Sequence, residues 1–206
     1  MTTNFEKIGI GWITFYSIVF LHYLLTGYQY YEFLGLAALF SIITFLDNGK
    51  YVHSTSLFFV GVAALSHTIG MFNYSGACNP YACVLNGNYD FYSHIFGFFF
   101  LGLAFFISLD KYKFKNKILK FQMCILIILA LLGFGSMIEI SEYTGFVIFG
   151  YGNGAFKFGS GDSDTYLGAW GDTSTDMIAN GVGSLLGLMI FLVINLFFVK
   201  KFSHRT

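Results

Sequence analysis

The chain has 206 residues, of which 56% are hydrophobic, 21% aromatic and only 11% charged, and its formal charge at pH 7 is zero. A soluble domain uses about 45 to 50% apolar residues, so this composition excludes an ordinary water-soluble fold, and the balanced charge without a basic tail gives no footprint for nucleic acid. The expectation is one integral domain over residues 1–206, all-α, a multi-pass protein of the cell membrane with lipids as its immediate partners.

A segment of about 17 to 25 apolar residues is long enough to cross the hydrocarbon core. Six are readable: Ile8 to Thr26, Tyr31 to Leu46, His53 to Phe72, Phe91 to Leu109, Ile118 to Ile140 and Asp176 to Val199. The second is short and needs its flanking tyrosines to reach both interfaces. Orientation follows from the basic residues, because short cytoplasmic loops carry the excess of Lys and Arg. With six crossings, Lys7, Lys50, Lys111, Lys113, Lys115, Lys117, Lys120, Lys200, Lys201 and Arg205 share one side and only Lys157 lies on the other. Both termini are then cytoplasmic. The first segment is long and no small-x-small site follows it, so it is read as a retained helix and not a cleaved signal.

Helix one carries His22 near its outer end, before Gly27 and the tyrosines at 28, 30 and 31. A lone histidine there is a packing residue first and a supporting site residue second. The turn Asp47-Asn-Gly-Lys50 is a plain turn signal, and His53 reads as a solvated cap. Helix three ends in Ser66-His67-Thr68-Ile69-Gly70, which brings His67 near the outer surface. The loop beyond contains Cys78-Asn-Pro-Tyr-Ala-Cys83, and two cysteines around the only proline, on the side away from the cytoplasm, suggest a local disulfide, with a metal pair as the rival. Cys124, inside helix five, reads as a small buried hydrophobe.

Helix four opens with Tyr89-Asp90-Phe-Tyr-Ser-His94, and residues four apart share a helix face, so Asp90 can hold the His94 imidazole in one tautomer. The bland reading is an N-terminal acid and a core histidine. The basic stretch from Asp110 to Lys120 reads as a solvated inner loop beside anionic headgroups. Helix five reaches Glu139 and Glu142, three apart and on one side; two such acids in a dry place need a cation or a shared proton. From Tyr143 to Gly171 the chain spends 29 residues, eight of them glycine, a length expected of a lid, a re-entrant segment or a binding loop. Within it Gly159-Ser-Gly-Asp162-Ser-Asp164 lacks the ligand spacing of an EF-hand. Helix six then spaces Asp172, Asp176, Asn180 and Ser184 at intervals of four. Beside that polar stripe Ala179, Gly183 and Gly187 form a smooth strip for close packing.

The topology drawn from the lysines puts His22, His67, Asp90, His94, Glu139, Glu142, Asp172 and Asp176 toward the same outer face. An ionised group at membrane depth costs roughly 2.5 to 3.5 kcal/mol even on mild scales, so these residues are expected to converge on an outward-facing polar pocket. Its expected chemistry is a divalent metal held by His94, Glu139 and Asp176 with His67 or Glu142 completing or orienting the shell, Asp90, Asn180 and His22 supporting it, and Glu142 or Asp172 as the base. Zinc suits the mixed imidazole and carboxylate set best, with manganese or iron as rivals. The corresponding function is a metal-assisted enzyme acting on a lipid or lipid-linked substrate at the outer leaflet. The alternative from another class is a non-catalytic membrane subunit of a larger complex, a homo-oligomer or a small-molecule binder, whose polar residues fix helix packing. A proton relay ranks last, because the cytoplasmic halves of the helices carry no comparable polar residues.

Leu65-Ser-His67-Thr-Ile-Gly70, Tyr89-Asp90-x-x-x-His94, Glu139-x-x-Glu142-Tyr143 and Tyr166-Leu-Gly168 leading to Asp172-Thr-x-x-Asp176-Met together resemble the YjdF-like membrane proteins. Asp176-Met-Ile-Ala-Asn180-Gly-Val-Gly183 has a looser similarity to the VanZ-like family. The resemblance covers helices three to six and implies a shared architecture and candidate site. The chain departs from the YjdF-like pattern at Phe91 and Tyr143, where the family has a basic residue and a tryptophan.

Overall fold

The computed structural model describes residues 3–26, 32–47, 49–71, 85, 88–110, 112, 114, 116–149 and 168–203. Cys78 and Cys83, with the disulfide expected between them, lie outside the described residues, as does the segment 150–167. Among the described residues there are six α-helices: α1 Asn4–Leu25, α2 Glu32–Ile42, α3 Ser54–Met71, α4 Tyr89–Asp110, α5 Lys117–Phe149 and α6 Gly168–Ser203. A π-helical turn, Ile43–Asp47, continues α2. Asn4–Leu25, Tyr89–Asp110, Lys117–Gly145 and Gly171–Asn195 are long and apolar enough to cross a membrane, whereas Phe33–Asp47 and Ser54–Gly70 are shorter apolar helices.

The ends of α5 and α6 differ from the sequence expectation. Phe146-Val-Ile-Phe149 is part of α5, and α6 begins at Gly168, eight residues before the expected start at Asp176, so Asp172 stands inside the helix. An apolar run continues a helix readily when a membrane takes the place of water, and a glycine such as Gly145 does not by itself end a membrane helix.

By compactness the chain divides into two units, Met1–Phe58 with Phe134–Met177, and Phe59–Gly133 with Ile178–Thr206. The first contains a hairpin of α1 and α2. Thr3 and Glu6 form a reciprocal capping box at the start of α1, Glu6 N–H donating to Thr3 Oγ1 at 3.1 Å and Thr3 N–H to Glu6 Oε2 at 2.6 Å, which satisfies N–H groups that a helix start leaves open. Phe5, Gly9, Tyr16, Val19 and Tyr23 are buried at helical spacing. Tyr23 stacks on Phe33 at 5.4 Å and Tyr16 on Phe40 at 5.7 Å between ring centroids, so the two helices run antiparallel. Further along, the Thr44 side chain fills the space over Gly9, where any Cβ would overlap it. Asp47 closes the turn between the π-helical segment and α3. Its carboxylate accepts from Tyr51 N–H at 2.9 Å and Val52 N–H at 3.0 Å, while Gly49 takes φ +73°, a conformation glycine adopts without strain. His53 is the exposed cap expected of it, its Nδ1 accepting from Thr55 N–H at 3.2 Å.

In the second unit α3 and α4 run antiparallel. Ser66 Oγ donates to Ser93 O at 3.2 Å, and Phe59 stacks on Phe100 at 5.4 Å. By contrast α4 and α6 run parallel: His94 meets Asn180, Gly183 meets Ile95 and Phe99, Gly187 meets Phe99 and Leu103, and Phe106 stacks on Phe191. At the far end of this pair Leu103, Phe106, Leu109, Cys124 and Phe191 form an apolar cluster, and Cys124 is the buried hydrophobe expected. Lys120 pairs with Asp110 at 2.6 Å on the exposed rim.

Helix α6 is amphipathic with the faces reversed from those of a soluble helix. Asp172, Thr173, Asp176, Ala179, Asn180, Gly183, Ser184, Gly187 and Phe191 are buried, while Ile178, Leu185, Met189 and Leu192 are exposed. Where the surroundings are hydrocarbon, the polar stripe is the side that must be hidden.

Candidate metal centre

The polar end of the second unit is built from the first turns of α4. Tyr89 Oη donates to Ser66 O at 2.7 Å, Ser66 Oγ donates to Ala63 O at 2.9 Å as well as to Ser93 O, and Ser93 Oγ donates to Asp90 O at 2.9 Å. These bonds clamp the start of α4 to α3 and so fix where Asp90 and His94 project. The i, i+4 spacing puts both on one face: His94 Nε2 lies 3.5 Å from Asp90 Oδ1, with side-chain exposures of 12% and 29%.

The other ring nitrogen of His94 is held by α6. Nδ1 lies 2.8 Å from Asn180 Oδ1, and Asn180 is 1% exposed. The sequence gives Asp90 as the group that orients the imidazole; the shorter hydrogen bond belongs to Asn180. Asp176 is one turn before Asn180 on the same helix face, and Asp172 one turn before that, at exposures of 2% and 8%. Within the second unit Asp90 and His94 meet, while Asp176 belongs to the first unit.

Glu139, Glu142, His67 and His22 sit on other helices. Glu139 is fully buried on a stripe of α5 that includes Leu131 and Gly135, and Glu142 is half-buried one turn on. His67 is half-buried on α3. His22 is exposed in the last turn of α1 with its ring against Tyr23. What sequence reading missed is the clamp made by Ser66 and Tyr89, although both residues lie inside motifs it singled out. A hydroxyl on an apolar helix gives no indication of which backbone carbonyl it will reach.

The ligand chemistry is coherent. An imidazole nitrogen and a carboxylate offer one borderline and one hard donor, a mixture used for zinc, manganese and iron. Two donors each about 2.1 Å from a tetrahedral zinc are separated by roughly 3.4 Å, and the 3.5 Å between His94 Nε2 and Asp90 Oδ1 matches that edge.

The model of a family described as predicted membrane protein (DUF2238) matches residues 8–196. No curated protein and no solved structure matches the chain.

Proposed function

The chain belongs to the DUF2238 family of predicted membrane proteins, and from that premise we propose that it is a metal-assisted membrane enzyme acting on a lipid or lipid-linked substrate. The single observation that carries the reading is the spacing of His94 Nε2 and Asp90 Oδ1, which is that of two ligands on one small divalent cation and is longer than a good hydrogen bond. Asp176, on the polar face of α6, is the residue proposed as a third donor. Zinc is the first choice, with manganese or iron as rivals, and Glu139 and His67 are the residues proposed to complete the shell.

A cation so held lowers the pKa of a bound water toward neutrality and makes it a nucleophile. Asp172, one turn from Asp176, is the proposed base, with Glu142 as its rival. Six crossings with both termini cytoplasmic, a pocket opening outward in the cell membrane and a YjdF-like membership complete this reading; the VanZ-like similarity draws no support from the family match. The second reading, a non-catalytic subunit or binder in which the same residues only hold helices together, is favoured by Asn180 and Ser184, which are buried polar residues in close helix contact.

Elemental analysis of the detergent-purified protein separates the two. About one transition-metal ion per chain is expected in the parent, and little in the double variant Asp90→Asn, Asp176→Asn, with both eluting as single species. A parent without metal removes the enzymatic reading, and a constant co-purifying protein partner would favour the other.

A further inference from the structure

We infer that Asn180 is a positioning residue which makes His94 a ligand through Nε2; this rests on the metal reading of the site. A neutral imidazole has one N–H and one lone pair, and the partner of each nitrogen decides which is which. Asn180 Oδ1, an acceptor, is 2.8 Å from Nδ1, whereas the Asp90 carboxylate is 3.5 Å from Nε2. The proton belongs on Nδ1, donated to Asn180. The lone pair on Nε2 then faces Asp90.

Asn180 can do this because of its neighbours on α6. A two-torsion amide reaches an adjacent helix only if the axes lie close. Gly183 and Gly187 bring that about, since a Cβ on either would press on backbone atoms of Ile95, Phe99 or Leu103. Ala179 is fully buried beside them, and Ser184 Oγ donates to Asn180 O at 2.8 Å. The strip of small residues thus sets the distance from amide to imidazole.

An amide, unlike the carboxylate commonly found behind a metal-bound histidine, holds the proton without adding charge. The nitrogen donor favours a first-row transition metal over magnesium or calcium.

The test uses full-length protein with 15N-labelled histidine, His94→Gln to assign the signal, and zinc chloride as the probe. Expected in the parent are a protonated Nδ1 with or without zinc and a zinc-induced shift at Nε2. Asn180→Leu should mix the tautomers and weaken zinc about 10- to 100-fold. Asn180→Asp keeps an acceptor and should restore the protonated Nδ1, which a purely structural role for the amide would not require. Parent protein protonated at Nε2, or a folded Asn180→Leu with parental tautomer and zinc affinity, overturns the inference. A parent that shows the protonated Nδ1 yet takes no zinc overturns the metal reading and leaves the role of Asn180 toward His94 standing. If Asn180→Leu does not fold, the parental tautomer and the Asn180→Asp spectrum still decide.

Discussion

Replacing Gly187 with alanine tests the packing on which the site depends. The added Cβ would stand 2.7 Å from Phe99 O and 3.1 Å from Leu103 N. The first distance is about 0.8 Å short of ordinary contact. Both neighbours are backbone atoms of α4, so no rotamer change relieves the clash and the helices must separate locally by about that amount. Overpacking of this kind costs about 1–3 kcal/mol, which for a chain of this length corresponds to a melting temperature lower by roughly 2 to 12 °C. Two turns away the 2.8 Å contact between His94 and Asn180 would be drawn toward the 3.2 Å limit of a good hydrogen bond. The assay is thermal unfolding in detergent, followed by circular dichroism, with Gly133→Ala as control because nothing lies within 4 Å of a Cβ there. Gly187→Ala melting at or above Gly133→Ala would refute the reasoning.

Two smaller perturbations address the supports on either side. Tyr89→Phe removes the 2.7 Å bond to Ser66 O and should cost about 1 kcal/mol; hydrogen exchange should show faster opening of the first turn of α4, and unchanged protection there would mean the clamp is idle. Asp47→Ala frees the N–H groups of Tyr51 and Val52 and should cost about 0.5–2 kcal/mol, as loss of a side-chain cap does; an unchanged midpoint of denaturation in a mixed-detergent titration would show that water replaces the carboxylate without loss.

All six apolar segments read from the sequence are helical, because an apolar run at membrane length has few other ways to satisfy its backbone. The strip of Ala179, Gly183 and Gly187 was equally legible, since small residues four apart on such a helix exist to let another backbone approach. The pairing of Asp90 with His94 followed from helix period alone. The π-helical turn at Ile43–Asp47 was not visible, because the extra residue it accommodates changes no composition. Helix ends were also obscure: Phe146 to Phe149 and Gly168 to Gly171 carry glycines and aromatics that suit a loop and a membrane helix alike. Asn180 was read as support for the site, but its partner was not identifiable, because a hydrogen bond across 86 residues depends on how closely two helices pack and not on any local pattern.

Asp172, Asp176, Asn180 and Ser184 project from one uninterrupted rod. They are geared together. A slide of α6 by one turn, about 5.4 Å, would hand each tooth's place to the next, and put a hydroxyl or a second acid opposite the imidazole where the amide now stands. A small twist would disengage the whole row at once. The four side chains can therefore change their places only together, by a displacement of the helix that carries them.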